Sequence, residues 1–189
     1  EGMDAMSLDL GGALSNIAGG TTNILPNGNF GPVYESSALD EDIWISGLPR
    51  LHIDVSTSTL GGQIYALLED CSEAGDCIHI GHAIMDLRYH EGGSDEQTWI
   101  PIIETINAKM EFFAMDVQIE AGHTIRLSLA STGEDYLPAS TSSIVTVQEG
   151  AGSNLILDII DRDSKLLFNP PTCTHEVCEE WLNQTSLAD

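Results

Sequence analysis

Residues 113–129 read Phe-Ala-Met-Asp-Val-Gln-Ile-Glu-Ala-Gly-His-Thr-Ile-Arg-Leu-Ser-Leu. Apolar side chains occupy every second position from Phe113 to Ile119, and again from Ile125 to Leu129. Because successive side chains of a strand point to opposite faces, this period of two predicts two strands with one buried face each. Gly122 permits the positive φ of a tight turn before the second strand. The stretch therefore predicts two consecutive strands joined by a short turn.

The same pattern recurs along the chain from about Asp42, and no stretch among these strands shows sustained helical periodicity. Short strands without intervening helices predict an all-β, antiparallel two-sheet sandwich. At this point both a jelly-roll and an immunoglobulin-like topology fit the pattern. The further strands are predicted at residues 6–10 (an edge strand), 51–55, 62–68, 78–87, 98–103, 143–147 and 155–160.

The chain divides into three predicted segments. Residues 1–33 form a glycine-rich N-terminal edge strand and linker, in which residues 11–32 are predicted as loop. Residues 34–168 form the sandwich, and residues 169–189 form a C-terminal extension with a short helix at 175–182, where apolar residues fall at helical spacing. The chain begins at Glu1 without an initiator methionine or a signal peptide, so we expect a mature or excised piece of a longer protein.

The charge balance is strongly acidic. Asp and Glu number 30 against 6 Lys and Arg, which gives a formal net charge of −24 over 189 residues. This balance argues against nucleic-acid binding and against an anionic membrane surface, since both need clustered cations. No apolar stretch approaches the roughly 20 residues of a membrane helix, so no membrane insertion is expected. An acid excess with only two lysines predicts either a halophilic or marine source or an acidic extracellular protein.

Four cysteines form two pairs that are close in sequence, Cys71 with Cys77 and Cys173 with Cys178. Each pair brackets a short polar loop, so local pairing is the simplest of three connectivities. Disulfides would place the protein outside the cell or on its surface, in an oxidising compartment. Free thiols and a zinc site remain as alternatives, the latter because His175 lies between the second pair.

Three stretches resemble one family. They are residues 34–56, with Gly47-Leu48-Pro49 before an apolar strand; residues 65–70, leading to 80–89; and residues 116–131, with Ala121-Gly122-His123 before Arg126-Leu127. Their order and spacing are similar to the C-terminal domain of X-prolyl dipeptidyl-peptidase and cocaine-esterase type serine hydrolases. The resemblance covers about residues 34–160. It implies a galactose-binding-like jelly roll that packs on an α/β-hydrolase catalytic domain of the same parent protein.

No catalytic residues are predicted in this chain. A serine hydrolase of this kind needs a Gly-x-Ser-x-Gly elbow, and the sequence contains none. We therefore expect a non-catalytic accessory domain of a secreted X-prolyl-peptidase-like or esterase-like hydrolase, which requires no cofactor. Without its partner domain, it should present an exposed apolar patch. His123 is expected to be structural and to make a local hydrogen bond, and Arg126 to pair with a carboxylate.

Three other sites are weighed against that expectation. A stand-alone module that binds carbohydrate or another surface ligand would use Trp99 as an aromatic platform, with Tyr89 and His90 close in sequence. A structural calcium ion would take oxygen ligands from the acidic residues Asp158, Asp161 and Asp163, or from residues 40–42. His79 and His82 are three residues apart in a predicted strand, so their side chains should point to opposite faces and not share a metal ion.

Overall fold

The computed structural model describes residues 4–9, 21–91, 97–133, 135–139, 142–150 and 152–160. These residues form twelve strands and one short 3₁₀ helix, Leu87–Tyr89. The strands are β1 (Asp4–Asp9), β2 (Thr21–Ile24), β3 (Val33–Glu35), β4 (Ile43–Gly47), β5 (Arg50–Thr57), β6 (Gln63–Cys71), β7 (Cys77–Asp86), β8 (Ile106–Glu111), β9 (Met115–Ile119), β10 (Thr124–Ala130), β11 (Val145–Gln148) and β12 (Asn154–Ile160).

The strands build two antiparallel sheets. The large sheet runs β2-β11-β5-β12-β4-β9, and in addition β8 pairs with β5 and β1 pairs with β12. The small sheet runs β3-β10-β6-β7. Strand β5 pairs with β8 along residues 50–55, with β11 along 54–57 and with β12 along 50–52. The structure thus confirms an all-β, two-sheet sandwich of the jelly-roll class.

The core lies between the two sheets and follows the alternation in the sequence. On β5, Leu51, Ile53 and Val55 are fully buried, and they face the apolar residues of the small sheet. Burying a side chain of this size contributes about 1.5–3 kcal/mol, which makes the two inner faces the main source of stability. The apolar residues of β6 and β10 that face this core include Ile64, Ala66, Leu68, Ile125, Leu127 and Leu129.

Most predicted strands are confirmed, and three predictions at strand level are wrong. Residues 98–103 form a loop, because Pro101 and the positive φ of Ile103 interrupt any ladder. Phe113 lies in the β8–β9 loop and is 66% exposed, while Phe112 is buried in its place. Residues 11–32 were predicted as loop, yet β2 lies among them and pairs with β11. The predicted helix at 175–182 lies outside the described residues, and the boundaries at 33 and 168 stay predictions.

The expectation that His79 and His82 point to opposite faces is also wrong. Opposite β6, Leu68 pairs with Gly81 but Glu69 pairs with His79, so β7 contains one extra residue at Ile80. This β-bulge shifts the alternation by one position. As a result His79 and His82 lie on the same, outer face of the small sheet, with their rings 5.2 Å apart.

Candidate docking surface

One end of the sandwich collects four loops. Strands β2, β5, β7 and β10 end there, and the strands that follow them begin there, as the antiparallel registers require. We call this the apolar end. It consists of the described parts of residues 25–33, 58–62, 87–105 and 131–144.

The apolar end carries most of the large hydrophobic side chains that the described residues expose. Twelve such side chains are exposed, and only three lie elsewhere, namely Leu48, Ile78 and Phe113. A concentration of large apolar side chains at one end of a protein with this many carboxylates marks an interface more readily than an even scatter of single residues would. The nine at the apolar end are Leu25, Phe30, Val33, Leu60, Trp99, Ile102, Ile103, Leu137 and Ile144.

Backbone hydrogen bonds tie the loops of the apolar end to one another. The Ser58 amide donates to the Ile144 carbonyl at 3.0 Å, and the Ile103 amide donates to the Thr57 carbonyl at 3.1 Å. The side-chain amide of Gln63 donates to the Leu137 carbonyl at 3.3 Å. Because these bonds join the loops to one another or to the ends of β5 and β6, they order the loop backbone before any partner binds, which lowers the entropic cost of association.

Ile103, in the loop 87–105 of the apolar end, adopts an unusual backbone conformation. Its φ is 71°, and it is the only residue other than glycine with a positive φ in the described part of the chain. A β-branched residue in this region is strained. The residue is 79% exposed, so its side chain packs little against the described residues, and the hydrogen bond from its amide to the Thr57 carbonyl holds this conformation.

Asp86 and Arg88 anchor the loop that carries Trp99. Asp86 caps the 3₁₀ helix by accepting from the Arg88 amide at 3.0 Å, and it also pairs with the Arg88 guanidinium. Burial raises the pKa of the Asp86 carboxyl, but the hydrogen bonds and charge of Arg88 outweigh it and hold that pKa below its usual range. The Arg88 carbonyl in turn accepts from the Thr98 amide at 2.7 Å. Trp99 is therefore positioned by a short, charge-assisted connection.

The three residues predicted to bind carbohydrate all lie at the apolar end. Trp99 is 59% exposed, whereas Tyr89 and His90 are half-buried. The Tyr89 hydroxyl accepts from Gln97 at 2.8 Å, and His90 Nδ1 donates to the Leu87 carbonyl at 2.9 Å. A cleft of about 230 Å³ opens at the same end beside Pro26 and Pro138, and none of the three predicted residues lines it. That volume is smaller than the roughly 300–1,000 Å³ of ordinary small-molecule sites.

The residues predicted to bind calcium are only partly described. Asp158 lies on the outer face of the large sheet and pairs with Arg50 at 3.0 Å, while Asp161 and Asp163 lie outside the described residues. Asp42 accepts hydrogen bonds from Gln118 and from the Ala121 amide. Within the described ranges, no three His, Cys, Asp or Glu residues group as a metal site. A calcium site stays a prediction.

A disulfide joins Cys71 and Cys77 across the end of β6 and β7 that is opposite the apolar end. Cys173 and Cys178 lie outside the described residues. None of the helices that the structure describes has the length and apolar character to cross a bilayer.

The motif residues of the small sheet form two polar pairs. His123 Nδ1 lies 2.7 Å from Asp70 Oδ1, and Arg126 pairs with Glu35 at 3.3 Å. The prediction that Arg126 pairs with a carboxylate is confirmed. His123 does make a hydrogen bond, but its partner Asp70 lies on β6, far away in the sequence, so the prediction that the bond is local is wrong. Sequence reasoning missed the exposed side chains of the apolar end other than Trp99. The available signal was the presence of large apolar residues beside prolines in loops, as at 101–103 and 137–138.

Comparison with solved structures shows the same fold in larger hydrolases. A CocE/NonD family hydrolase from Staphylococcus aureus superposes with a TM-score of 0.72 and 12% identity, over 84% of this chain and 37% of the hydrolase. An aminopeptidase from a marine sediment archaeon, Thaumarchaeota archaeon, superposes with a TM-score of 0.60 and 15% identity, over 68% of this chain and 25% of the enzyme. An α-amino acid ester hydrolase superposes with a TM-score of 0.58 and 17% identity, over 68% of this chain and 25% of the hydrolase.

The chain thus spans less than two fifths of the length of each of these hydrolases. No curated protein matches it by sequence. The sequence model of one family, described as the X-Pro dipeptidyl-peptidase C-terminal non-catalytic domain, matches residues 25–167, which include β3 to β12. The chain belongs to the family of X-Pro dipeptidyl-peptidase C-terminal non-catalytic domains.

Proposed function

We propose that this chain is the accessory domain of a secreted X-prolyl-peptidase-like or esterase-like serine hydrolase, and that its apolar end packs against the α/β-hydrolase catalytic domain of the same parent protein. Family membership and the hydrolase neighbours support the accessory role. The disulfide between Cys71 and Cys77 supports an oxidising, extracellular compartment.

The observation that carries the docking proposal is the concentration of exposed hydrophobic side chains at one end. Domain interfaces are built from apolar contacts with a polar rim, and Trp99 is the type of residue that dominates such contacts. The chain as a whole carries a formal net charge of −24, which keeps separate molecules apart in solution. An end of the domain that exposes this many large hydrophobic side chains therefore fits a contact with another domain, and the hydrolase neighbours supply a catalytic domain as the occupant.

Charge insertion tests this proposal. In the parent protein, Ile103→Asp and Leu137→Asp should loosen the domain from the catalytic domain, since a buried, unpaired carboxylate is strongly unfavourable at an interface. The matched control is Ile78→Asp, because Ile78 is 61% exposed but lies at the opposite end.

The readout is limited proteolysis of the linker between the two domains, together with hydrolase activity. We expect faster cleavage and lower activity for the two variants at the apolar end, and wild-type behaviour for the control. Equal effects of all three substitutions, or none, would contradict the docking proposal.

The exposed indole of Trp99 favours one second candidate, a carbohydrate-binding function. A sugar ring stacked on Trp99 would change the tryptophan fluorescence, and Trp99→Ala would abolish that change. A glycan array without hits, combined with unchanged fluorescence, would remove this candidate.

A further inference from the structure

The outer face of the small sheet brings two histidine rings together. The bulge at Ile80 places His79 and His82 on one face of the edge strand β7, and His79 Nε2 lies 3.2 Å from His82 Nδ1. Bulges of this kind often re-aim side chains at functional positions. His79 is exposed and His82 is half-buried, so solvent ions reach the pair.

The separation of the two nitrogens suits a shared metal ion. Zinc–nitrogen bonds are about 2.0–2.1 Å long, which places two neighbouring ligands on one ion about 2.9–3.4 Å apart. The observed separation of 3.2 Å falls within that interval. The separation of the two nitrogens is therefore compatible with ligation of one ion by both rings.

Tyr136 fixes the other nitrogen of His82. His82 Nε2 lies 2.9 Å from the Tyr136 hydroxyl, and when Nε2 carries the proton and donates it there, Nδ1 presents its lone pair toward His79. Metal-bound histidines typically donate their second ring nitrogen to an oxygen in this way. In the metal-free pair, His79 Nε2 then carries the proton that is shared with His82 Nδ1. When a metal ion binds Nε2, this proton is lost from Nε2 and His79 takes the tautomer that is protonated at Nδ1.

The surroundings hold the rings and favour a cation. The Tyr65 ring stacks on His82 with centroids 5.8 Å apart, and Phe113 meets it edge-on at 5.3 Å. Glu69 lies directly opposite His79 in the strand register, on the same face. The formal net charge of −24 further raises the local concentration of cations.

We propose that His79 and His82 form a surface site for a divalent transition-metal ion, with His79 Nε2 and His82 Nδ1 as ligands and water at the remaining positions. Tyr136 is the positioning residue that selects the tautomer of His82. Imidazole nitrogen ligands favour copper, nickel and zinc over calcium or magnesium, and Cu²⁺ should bind most tightly. This inference does not depend on docking at the apolar end.

The test is a titration of the full chain with Cu²⁺ alone, followed by electron paramagnetic resonance and by competition with glycine as a chelator of known strength. We expect one site with two imidazole nitrogen ligands. His79→Gln and His82→Gln should each weaken binding at least tenfold and remove one nitrogen from the spectrum. Tyr136→Phe should weaken binding about tenfold while retaining both nitrogens, as expected for an outer-shell partner.

The control is His90→Gln, because His90 hydrogen-bonds locally to Leu87 and lies at the apolar end. It should leave the affinity unchanged. Circular dichroism of each metal-free variant verifies the fold, which the exposed position of His79 makes robust to substitution. Equal binding by wild type, His79→Gln and His82→Gln would overturn the proposal, and so would a wild-type spectrum with oxygen ligands only.

Discussion

Replacing Ile103 with glycine should stabilise the isolated chain, although it removes a large hydrophobic side chain. At a φ of 71°, a residue with a Cβ carries a conformational cost of about 1–2 kcal/mol, which glycine does not. Glycine also destabilises the folded state by about 0.5–1 kcal/mol, because the unfolded chain has more conformational freedom at a glycine. The side chain is 79% exposed, so little buried area is lost. Taking the midpoints of the two ranges, the net expectation is a gain of about 0.75 kcal/mol in the free energy of unfolding.

The assay is urea unfolding followed by circular dichroism, with a thermal scan beside it. For a chain of this size, about 1 kcal/mol corresponds to a shift of roughly 2–4 °C in Tm, so Ile103→Gly should raise Tm by about 1–4 °C. The matched control is Ile102→Gly. Ile102 is 50% exposed and has no positive φ, so its substitution should lower stability by at least about 0.5 kcal/mol. The reasoning is refuted if both substitutions destabilise the chain to the same extent.

Ile103→Gly should also affect the proposed docking, with the opposite sign to its effect on the stability of the isolated chain. In the proposed parent hydrolase, Ile103→Gly removes apolar contact area from the docking surface, so the domain that is more stable alone should be held less firmly. Strain that is retained at an exposed apolar position is typical of functional sites, where stability is exchanged for activity or binding.

Three further predictions concern the isolated chain. Burial, with the charges of Lys109 and Arg50, lowers the pKa of His52 in the folded chain. As the pH falls through about 6.5, the unfolded state therefore takes up a proton before the folded state does, and the free energy of unfolding should decline below that pH. Unfolding curves at pH 5 and pH 8 should show a smaller decline for His52→Gln than for the wild type. Replacing both Cys71 and Cys77 by serine opens a short loop and should cost about 2 kcal/mol in urea unfolding, whereas no loss would mean that the disulfide does not form in the native protein. With a net charge of −24, Tm should rise as salt increases from 0.1 M toward the molar range, and a flat response would remove the halophilic interpretation.

The sandwich could be predicted from the sequence because one physical rule governs most of it. In β5 and β10, every second side chain, such as Leu51 and Leu127, is buried between the two sheets. This burial appears in the sequence as an apolar residue at every second position. The small strand β2 could not be predicted in the same way. Four residues are too few to establish a period, and β2 is defined by its pairing with β11, far away in sequence.

The candidate sites were harder to predict because they depend on local departures from regular geometry. The extra residue of the bulge at Ile80 places His79 on the same face of the sheet as His82. A rule based on sequence spacing alone cannot predict this bulge. The exposure of Ile103 and Leu137 likewise follows from the course of loops that tertiary hydrogen bonds determine. The resemblance to the family indicated that an apolar patch should exist, and the arrangement of the strand ends located it.

Hydrogen–deuterium exchange, measured on this chain alone and within the proposed parent hydrolase, tests the central claim most directly. Docking at the apolar end predicts that residues 58–62, 97–105 and 135–139 become protected in the parent protein, while the backbone around Ile78 at the opposite end exchanges at the same rate in both. Unchanged exchange in all three segments, or protection confined to the opposite end, would contradict it.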